Sequence, residues 1–200
     1  MRATLVHASG ASAKTALRTV LRARRRAAAT ADPRAAESAA GRLPAELLGR
    51  FTVVAAYHPQ GAELDPHPLM ARLAQAGARL ALPYAPQKHA PLVFKAYVPG
   101  EQALGRDAFG LPAPPPEAET LVPDLLILPL LAFDRRGGRM GQGAGCYDRT
   151  LEALRRGPGV FALGLAYAEQ AVAAVPIEPH DQLLDAILTE RAYIPAERDF

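Results

Sequence analysis

The sequence predicts an α/β fold in which a mostly parallel central sheet carries helices on both of its faces. Short apolar runs of strand length alternate along the chain with segments of helical periodicity. This alternation is typical of β-α-β units, whose crossover helices cover the two faces of a parallel sheet. The length of 200 residues suits one domain, so we expect residues 1–200 to form a single domain with residues 1–10 disordered.

The first predicted helix carries an apolar stripe of Leu17, Val20 and Leu21 among alanines and arginines. The pairs Asp32-Pro33 and Asp65-Pro66 each place an N-cap residue before a proline, which is the usual order at a helix start. We therefore expect helices over residues 11–28, from Asp32-Pro33 to about 41, over 44–48, from Asp65-Pro66 to the stop at Gly77, and over 145–156.

The predicted strands are apolar runs bounded by proline, glycine or polar residues. They cover residues 51–57, 79–82, 91–98, 125–131, 160–166 and 186–189. Residues 99–123 contain six prolines, and we expect an extended surface loop there rather than a linker between domains. In an open parallel sheet, ligands bind beyond the carboxyl ends of the strands, which directs attention to the loops that follow these runs.

Composition excludes several classes of protein. The single cysteine allows no internal disulfide. Residues 1–10 lack an apolar segment of signal-peptide length, and no apolar run in the sequence is long enough for a membrane helix. We therefore expect a soluble, cytoplasmic protein. The net charge is only +3, so the cluster of Arg22, Arg24, Arg25 and Arg26 is interpreted as a solvated helix face, with polyanion binding as the alternative.

The most informative segment follows the apolar run 125–131 and leads into the last predicted helix. It reads Arg139-Met140-Gly141-Gln142-Gly143-Ala144-Gly145-Cys146-Tyr147-Asp148-Arg149. A strand, a glycine-rich loop and a helix in this order present backbone N–H groups and a helix N-terminus to a phosphate. The loop has neither the dinucleotide-binding nor the Walker A pattern, so a flexible turn without a ligand stays open as an alternative.

Other candidate residues are charged side chains near the predicted strand ends. Lys14 and Arg18 share one helix face and could grip phosphate oxygens, although a solvated face is the alternative. Glu63 lies in the loop after the first strand and has no evident structural role. Asp148 at the helix start is a candidate Mg²⁺ ligand, since Mg²⁺ beside a nucleotide is usually held by one or two carboxylates. Asp181 in a late loop could be a second ligand, with a turn-forming aspartate as the alternative.

A long motif resembles the 5-formyltetrahydrofolate cyclo-ligase family. Its pattern, roughly P-x-L-A-F-D-x-x-G-x-R-L-G-x-G-x-G-Y-Y-D-R, matches residues 129–149 here. The resemblance extends to Lys14-x-x-Leu17-Arg18, to the segment from Tyr57-His58-Pro59 through Glu63-Leu64-Asp65, and to residues 163–190. The chain departs from the pattern at Cys146, where the family has a tyrosine, at Pro66, where it has a threonine, and at Ala113, where a glutamate is common.

The resemblance implies a fold and a reaction. The fold would be similar to the NagB/RpiA/CoA-transferase-like fold, and the protein would be a monomer. ATP would phosphorylate the formyl oxygen of 5-formyltetrahydrofolate, N10 would attack the activated carbon, and phosphate would leave to give 5,10-methenyltetrahydrofolate. An alternative is a related ATP-dependent ligase or phosphotransferase that acts on a different acceptor.

The resemblance also implies roles for individual residues. Lys14, Arg18 and the residues from Arg139 to Tyr147 would bind ATP. Arg139, Tyr147 and Asp148 would be catalytic, and Asp148 and Asp181 would hold Mg²⁺. His58 and Glu63 would contact the folate.

Overall fold

A computed structural model of the protein describes residues 10–88, 90–100 and 103–197. The prediction that residues 1–10 are disordered therefore falls outside the described residues, except at Gly10, where the first helix begins. The helices are α1 (Gly10–Ala31), α2 (Ala35–Arg42), α3 (His67–Gln75) and α4 (Cys146–Arg156), with short 3₁₀ helices at Ala45–Leu47 and Ala168–Gln170.

Eight of the strands form one sheet, and four short strands form two separate hairpin-like pairs. The strands are β1 (Val53–Ala55), β2 (Arg79–Tyr84), β3 (Val93–Ala96), β4 (Gly105–Arg106), β5 (Pro112–Ala113), β6 (Thr120–Leu121), β7 (Leu125–Pro129), β8 (Ala132–Phe133), β9 (Arg139–Met140), β10 (Phe161–Leu165), β11 (Ala186–Leu188) and β12 (Tyr193–Pro195).

The sheet is mostly parallel, as the sequence predicts. Its order is β12-β11-β10-β7-β1-β2-β3-β6. The five central strands from β11 to β2 run parallel to their neighbours, whereas β12, β3 and β6 pair antiparallel at the two edges. The carboxyl ends of the parallel strands therefore meet at one edge of the sheet, where the predicted site residues follow β1 and β7.

Helices cover both faces of the sheet, and the central strand β7 is therefore buried on both sides. Leu125 and Ile127 pack in the cluster that contains Leu69 of α3 and the alanines of α2. The alternate residues of β7 belong to a second cluster with Leu151 of α4. This two-sided burial explains why β7 reads as a continuous apolar run rather than as an alternating one.

Several elements differ from the sequence-based prediction. Residues 99–123 do not form a strandless loop, since β4 and β5 pair with each other and β6 extends the main sheet. The strand β12 was also missed. Helix α3 begins at His67 rather than directly after Asp65, but the Asp65 carboxylate still accepts a hydrogen bond from the His67 backbone N–H at 2.9 Å.

The glycine-rich loop does not follow β7 directly. The β8–β9 hairpin intervenes, and Asp134 stabilises its turn by accepting backbone hydrogen bonds from Arg136 and Gly138. Its second oxygen accepts one from Val175 at 2.8 Å. Among the described residues, no helix is long and apolar enough to cross a membrane. The similarity to the NagB/RpiA/CoA-transferase-like fold stays a prediction.

Candidate active site

A cavity of about 830 Å³ lies at the carboxyl edge of the parallel sheet. Tyr57, His58 and Glu63 after β1 form one side, and the glycine-rich loop with the start of α4 forms another. Lys14 of α1 and Asp181 of the loop before β11 complete the lining of the cavity. Every residue for which the sequence predicts a role in binding or catalysis lines this one cavity.

Two glycines shape the loop through backbone conformations that favour glycine. Gly143 has a φ of 106° and Gly145 a φ of 67°, both in the region that L side chains rarely adopt. A Cβ at Gly143 would lie 3.2 Å from Cζ of Arg18, and one at Gly145 would lie 2.8 Å from Nη1 of Arg149. The loop therefore lies closely against two arginine side chains, and a larger residue at either position would have to displace the neighbouring arginine.

Helix α1 supplies cations to the same loop. The Arg18 Nε donates to the Gly141 carbonyl at 3.2 Å, and Arg22 donates two hydrogen bonds to the Gln142 side-chain oxygen at 2.9 and 3.0 Å. Lys14 forms an ion pair of 2.5 Å with Glu178, and this contact lowers the pKa of Glu178 below its ordinary value. The structure thus brings the predicted N-terminal cations to the predicted phosphate loop.

Arg139 and Asp148 form a buried ion pair beside the loop. Nη2 of Arg139 lies 2.6 Å from Oδ1 of Asp148, and the two side chains are 5% and 18% exposed. The same oxygen accepts a backbone hydrogen bond from Gln182 at 3.1 Å. Burial lowers the pKa of Arg139 from its ordinary value, and the Asp148 charge opposes that shift.

Tyr147, the second residue of α4, lies on the glycine-loop side of the cavity. Burial raises its pKa well above the ordinary tyrosine value, and the negative charge of Glu63 adds to the rise. Tyr57 behaves in the same way for the same two reasons, and its hydroxyl donates to the Leu64 carbonyl. Both phenols therefore stay protonated at neutral pH, which makes them hydrogen-bond donors rather than anions.

Glu63 is held rigidly on the opposite side. Its Oε1 accepts from Nη1 of Arg25 at 3.2 Å, and its Oε2 accepts from the Gln60 backbone N–H at 3.0 Å. His58 lies nearby, and its Nδ1 is buried without a hydrogen-bond partner in the described structure. Its ring stands edge-on to that of His67, with 6.1 Å between the ring centres.

The carboxylates that could hold a divalent cation lie at the rim of the cavity. One ligand atom from each of Glu178, His180 and Asp181 falls within 4.8 Å of the others. Asp148 contacts Arg139 and Gln182 through Oδ1 alone, and Oδ2 has no such contact within the described ranges. Asp148 and Asp181 could each offer an oxygen to Mg²⁺, a hard cation that prefers carboxylates and water.

Two buried residues of this region were not predicted to matter. Arg25 was interpreted as part of a solvated basic face, and that interpretation is wrong, since its side chain is only 8% exposed. Gln170 is 1% exposed and donates to the Leu130 carbonyl at 2.8 Å. The position of Arg25, four residues after Leu21 on the apolar stripe, was the available signal, because residues i and i+4 share a helix face.

The positions that depart from the family pattern have ordinary local environments. Cys146 is the first residue of α4, buried, with its Sγ 3.7 Å from Nη2 of Arg149. Pro66 immediately precedes α3. Ala113 is buried in β5, where its backbone pairs with Gly105.

Comparison with known proteins places the chain among enzymes of one name. The protein is 39% identical over 153 residues to the 5-formyltetrahydrofolate cyclo-ligase of Mycolicibacterium smegmatis, a match that covers 72% of this chain and 77% of that protein. It is 36% identical over 132 residues to the enzyme of the same name from Escherichia coli K12, covering 64% of this chain and 71% of that protein.

A solved structure has the same fold. The 5,10-methenyltetrahydrofolate synthetase of Aquifex aeolicus superposes with a TM-score of 0.73 at 27% identity, and the match covers 94% of each chain. Residues 10–190 match the model of the 5-formyltetrahydrofolate cyclo-ligase family. The chain therefore belongs to the 5-formyltetrahydrofolate cyclo-ligase family, a family of ligases.

Proposed function

We propose that this protein converts 5-formyltetrahydrofolate to 5,10-methenyltetrahydrofolate with cleavage of ATP to ADP and phosphate. The observation that carries the proposal is one cavity with two chemically different sides. The glycine-rich loop and its arginines suit a polyphosphate, whereas the Glu63 carboxylate on another side suits a ring that carries N–H groups. The volume of about 830 Å³ lies in the upper part of the range for small-molecule sites.

The chemistry requires activation of a formyl oxygen. This oxygen is a poor leaving group, and transfer of the γ-phosphoryl group to it turns it into a phosphate ester. N10 then attacks the formyl carbon and loses its proton, the C–O bond breaks, and inorganic phosphate carries the oxygen away. Phosphoryl transfer of this kind depends mainly on positioning and on neutralisation of charge, and the protein supplies both through its cations.

The nucleotide side is assigned to the residues of the loop and of α1. Backbone N–H groups from Met140 to Tyr147 and the N-terminus of α4 would face the phosphates. Lys14 and Arg18 would close over them from α1, and Arg139 would stabilise the transferred group. Tyr147 would donate a hydrogen bond across the cavity, because its hydroxyl stays protonated.

The donor set at the rim fits Mg²⁺. Asp148 retains Oδ2, and Asp181 lines the same cavity. When bound there, Mg²⁺ would neutralise phosphate charge and hold the nucleotide in a reactive conformation. Asp148 has a second role that needs no metal, which is to fix the side chain of Arg139 beside the loop.

The folate side is assigned to Glu63 and His58. The Glu63 carboxylate would accept hydrogen bonds from the N–H groups of the reduced pterin, and the His58 ring would pack beside it. We further propose that residues 1–200 act as one cyclo-ligase domain that works as a monomer in the cytoplasm.

The direct test is the near-UV absorbance of 5,10-methenyltetrahydrofolate after 5-formyltetrahydrofolate and Mg-ATP are mixed with the protein. We expect a rise that needs ATP and that is lost in Asp148→Ala. The absence of any rise from a folded protein that still binds ATP would assign it to a different acceptor.

A further inference from the structure

Arg25 is the inward-facing member of the basic cluster on α1. Its side chain is 8% exposed, whereas Arg24 and Arg26 on either side are exposed to solvent. Nη1 of Arg25 donates to Glu63 at 3.2 Å and to the Leu130 carbonyl at 3.4 Å. One guanidinium thereby joins α1 to the segments that follow β1 and β7.

Glu63 lines the cavity, and Arg25 is not among the described residues that line it. Arg25 therefore lies behind the carboxylate, on the side away from the ligand. An ionised carboxylate offers about four acceptor positions, and here Arg25 and the Gln60 N–H occupy one on each oxygen. The remaining positions are available to a ligand with two neighbouring N–H donors.

Besides its hydrogen bonds, Arg25 compensates the negative charge of Glu63. Glu63 is only 7% exposed, and a carboxylate at such burial is costly unless a cation compensates it. Arg25 reaches Glu63 through Nη1 alone, and the same nitrogen donates to the Leu130 carbonyl, so the contact ties the carboxylate to the backbone after β7. The Gln170 side chain also donates a hydrogen bond to the Leu130 carbonyl, so the oxygen that accepts from Arg25 is itself held in place.

We propose that Arg25 is a positioning residue for recognition of the pterin ring, which it influences through Glu63 without touching the ligand. The inference rests on the proposed function, because it presumes that Glu63 faces a reduced pterin. It extends the set of residues that determine folate affinity to one that lies outside the cavity.

The test compares Arg25→Met with Arg24→Met, a change of the same kind at an exposed position of the same helix. Loss of a hydrogen bond to a charged group predicts that Arg25→Met binds 5-formyltetrahydrofolate about tenfold more weakly or worse. Binding of ATP, measured separately by calorimetry, should be unchanged. Arg24→Met should bind both ligands as the parent protein does, and Arg25→Lys should restore part of the lost folate affinity.

A double-mutant cycle with Glu63→Gln separates positioning from a general structural effect. If Arg25 acts through Glu63, then Arg25→Met should cost no further folate affinity in the Glu63→Gln background. The double variant also removes both buried charges, so it provides a folded protein if Arg25→Met alone is unstable. The steady-state counterpart is a raised KM for the folate with little change in kcat.

Three results would overturn the inference. They are unchanged folate binding in Arg25→Met, an equal loss of ATP and folate binding, and the same loss of folate affinity in both backgrounds of the cycle. Failure of the unaltered protein to bind 5-formyltetrahydrofolate would be a different result, because it would overturn the proposed function and the inference with it.

Discussion

The guanidinium of Arg139 and the carboxylate of Asp148 close the glycine-rich loop at its two ends, with 2.6 Å between Nη2 and Oδ1. Arg139 begins β9, immediately before the loop, and Asp148 lies in the first turn of α4. The pair is largely buried, so removal of either partner leaves a charge without compensation. Loss of either charge of the pair should therefore also disturb the conformation of the glycine-rich loop.

This relationship distinguishes the two carboxylates assigned to Mg²⁺. Asp148→Asn should lower kcat by about 100-fold or more, because it disturbs both Arg139 and the cation. Asp181→Asn should mainly raise the Mg²⁺ concentration needed for half-maximal activity, and excess Mg²⁺ should restore most of the rate. Activity is measured at a series of Mg²⁺ concentrations. An unchanged Mg²⁺ requirement in both variants would refute the metal assignment.

Gly143 is expected to determine nucleotide affinity. Its φ of 106° and the approach of Arg18 mean that Gly143→Ala must displace either the backbone or the arginine. We expect the Kd for ATP to rise about tenfold, which corresponds to roughly 1.4 kcal/mol.

The matched control is Gly159→Ala, which also has a positive φ, of 86°, but has open space around the added methyl group. That variant should lose about 1–2 kcal/mol of stability, because an alanine is strained at a positive φ, and should keep its ATP affinity. Calorimetric ATP titrations of both variants make the comparison, and equal effects on ATP binding would contradict the role of Gly143.

Glu178 is expected to compete with the nucleotide for Lys14. The ion pair between them is 2.5 Å long and half exposed on the Glu178 side, so its contribution is small. Glu178→Gln should free the ammonium and tighten ATP binding by up to about fivefold, in line with the strength of exposed ion pairs. Lys14→Met should weaken it. Weaker ATP binding in Glu178→Gln would instead indicate that the carboxylate supports the bound state.

The central sheet could be predicted because its strands are buried on both faces. The run 125–131 has the length and continuous apolarity of a strand buried on both faces, and β7 occupies its first five residues. The edge strands were harder, since β4, β5 and β6 have two residues each and lie among prolines. Two residues are too few to show the alternation of apolar and polar residues that identifies a strand. The pairing of such strands depends on contacts between distant parts of the chain.

The candidate site could be predicted as a set of residues but not as a set of contacts. The glycine-rich loop and Lys14 were found from sequence motifs, and the structure brings them to one cavity. The partner of Glu63 was missed because Arg25 lies in a run of arginines, of which only the fold determines the one that faces inward. Helical spacing from Leu21 would have indicated it.

Tyr57 should make the stability of the protein depend on pH in the alkaline range. Burial raises the pKa of Tyr57 well above the ordinary value of 10.0, and the charge of Glu63 raises it further. The unfolded chain therefore releases the Tyr57 proton near pH 10, whereas the folded protein keeps it. The resulting stability is complete below pH 10 and is lost as the pH rises towards the folded-state pKa.

Tyr57→Phe tests this linkage through the slope of the free energy of unfolding against pH, rather than through its value at one pH. The lost hydrogen bond to the Leu64 carbonyl lowers the free energy of unfolding by about 1 kcal/mol at every pH. Above pH 10, the variant should lose stability less steeply than the parent, by about 1.4 kcal/mol for each pH unit. Urea unfolding at pH 9, 10 and 11 measures both quantities. Parallel stability curves for the two proteins would mean that Tyr57 ionises in the folded protein as readily as in the unfolded chain.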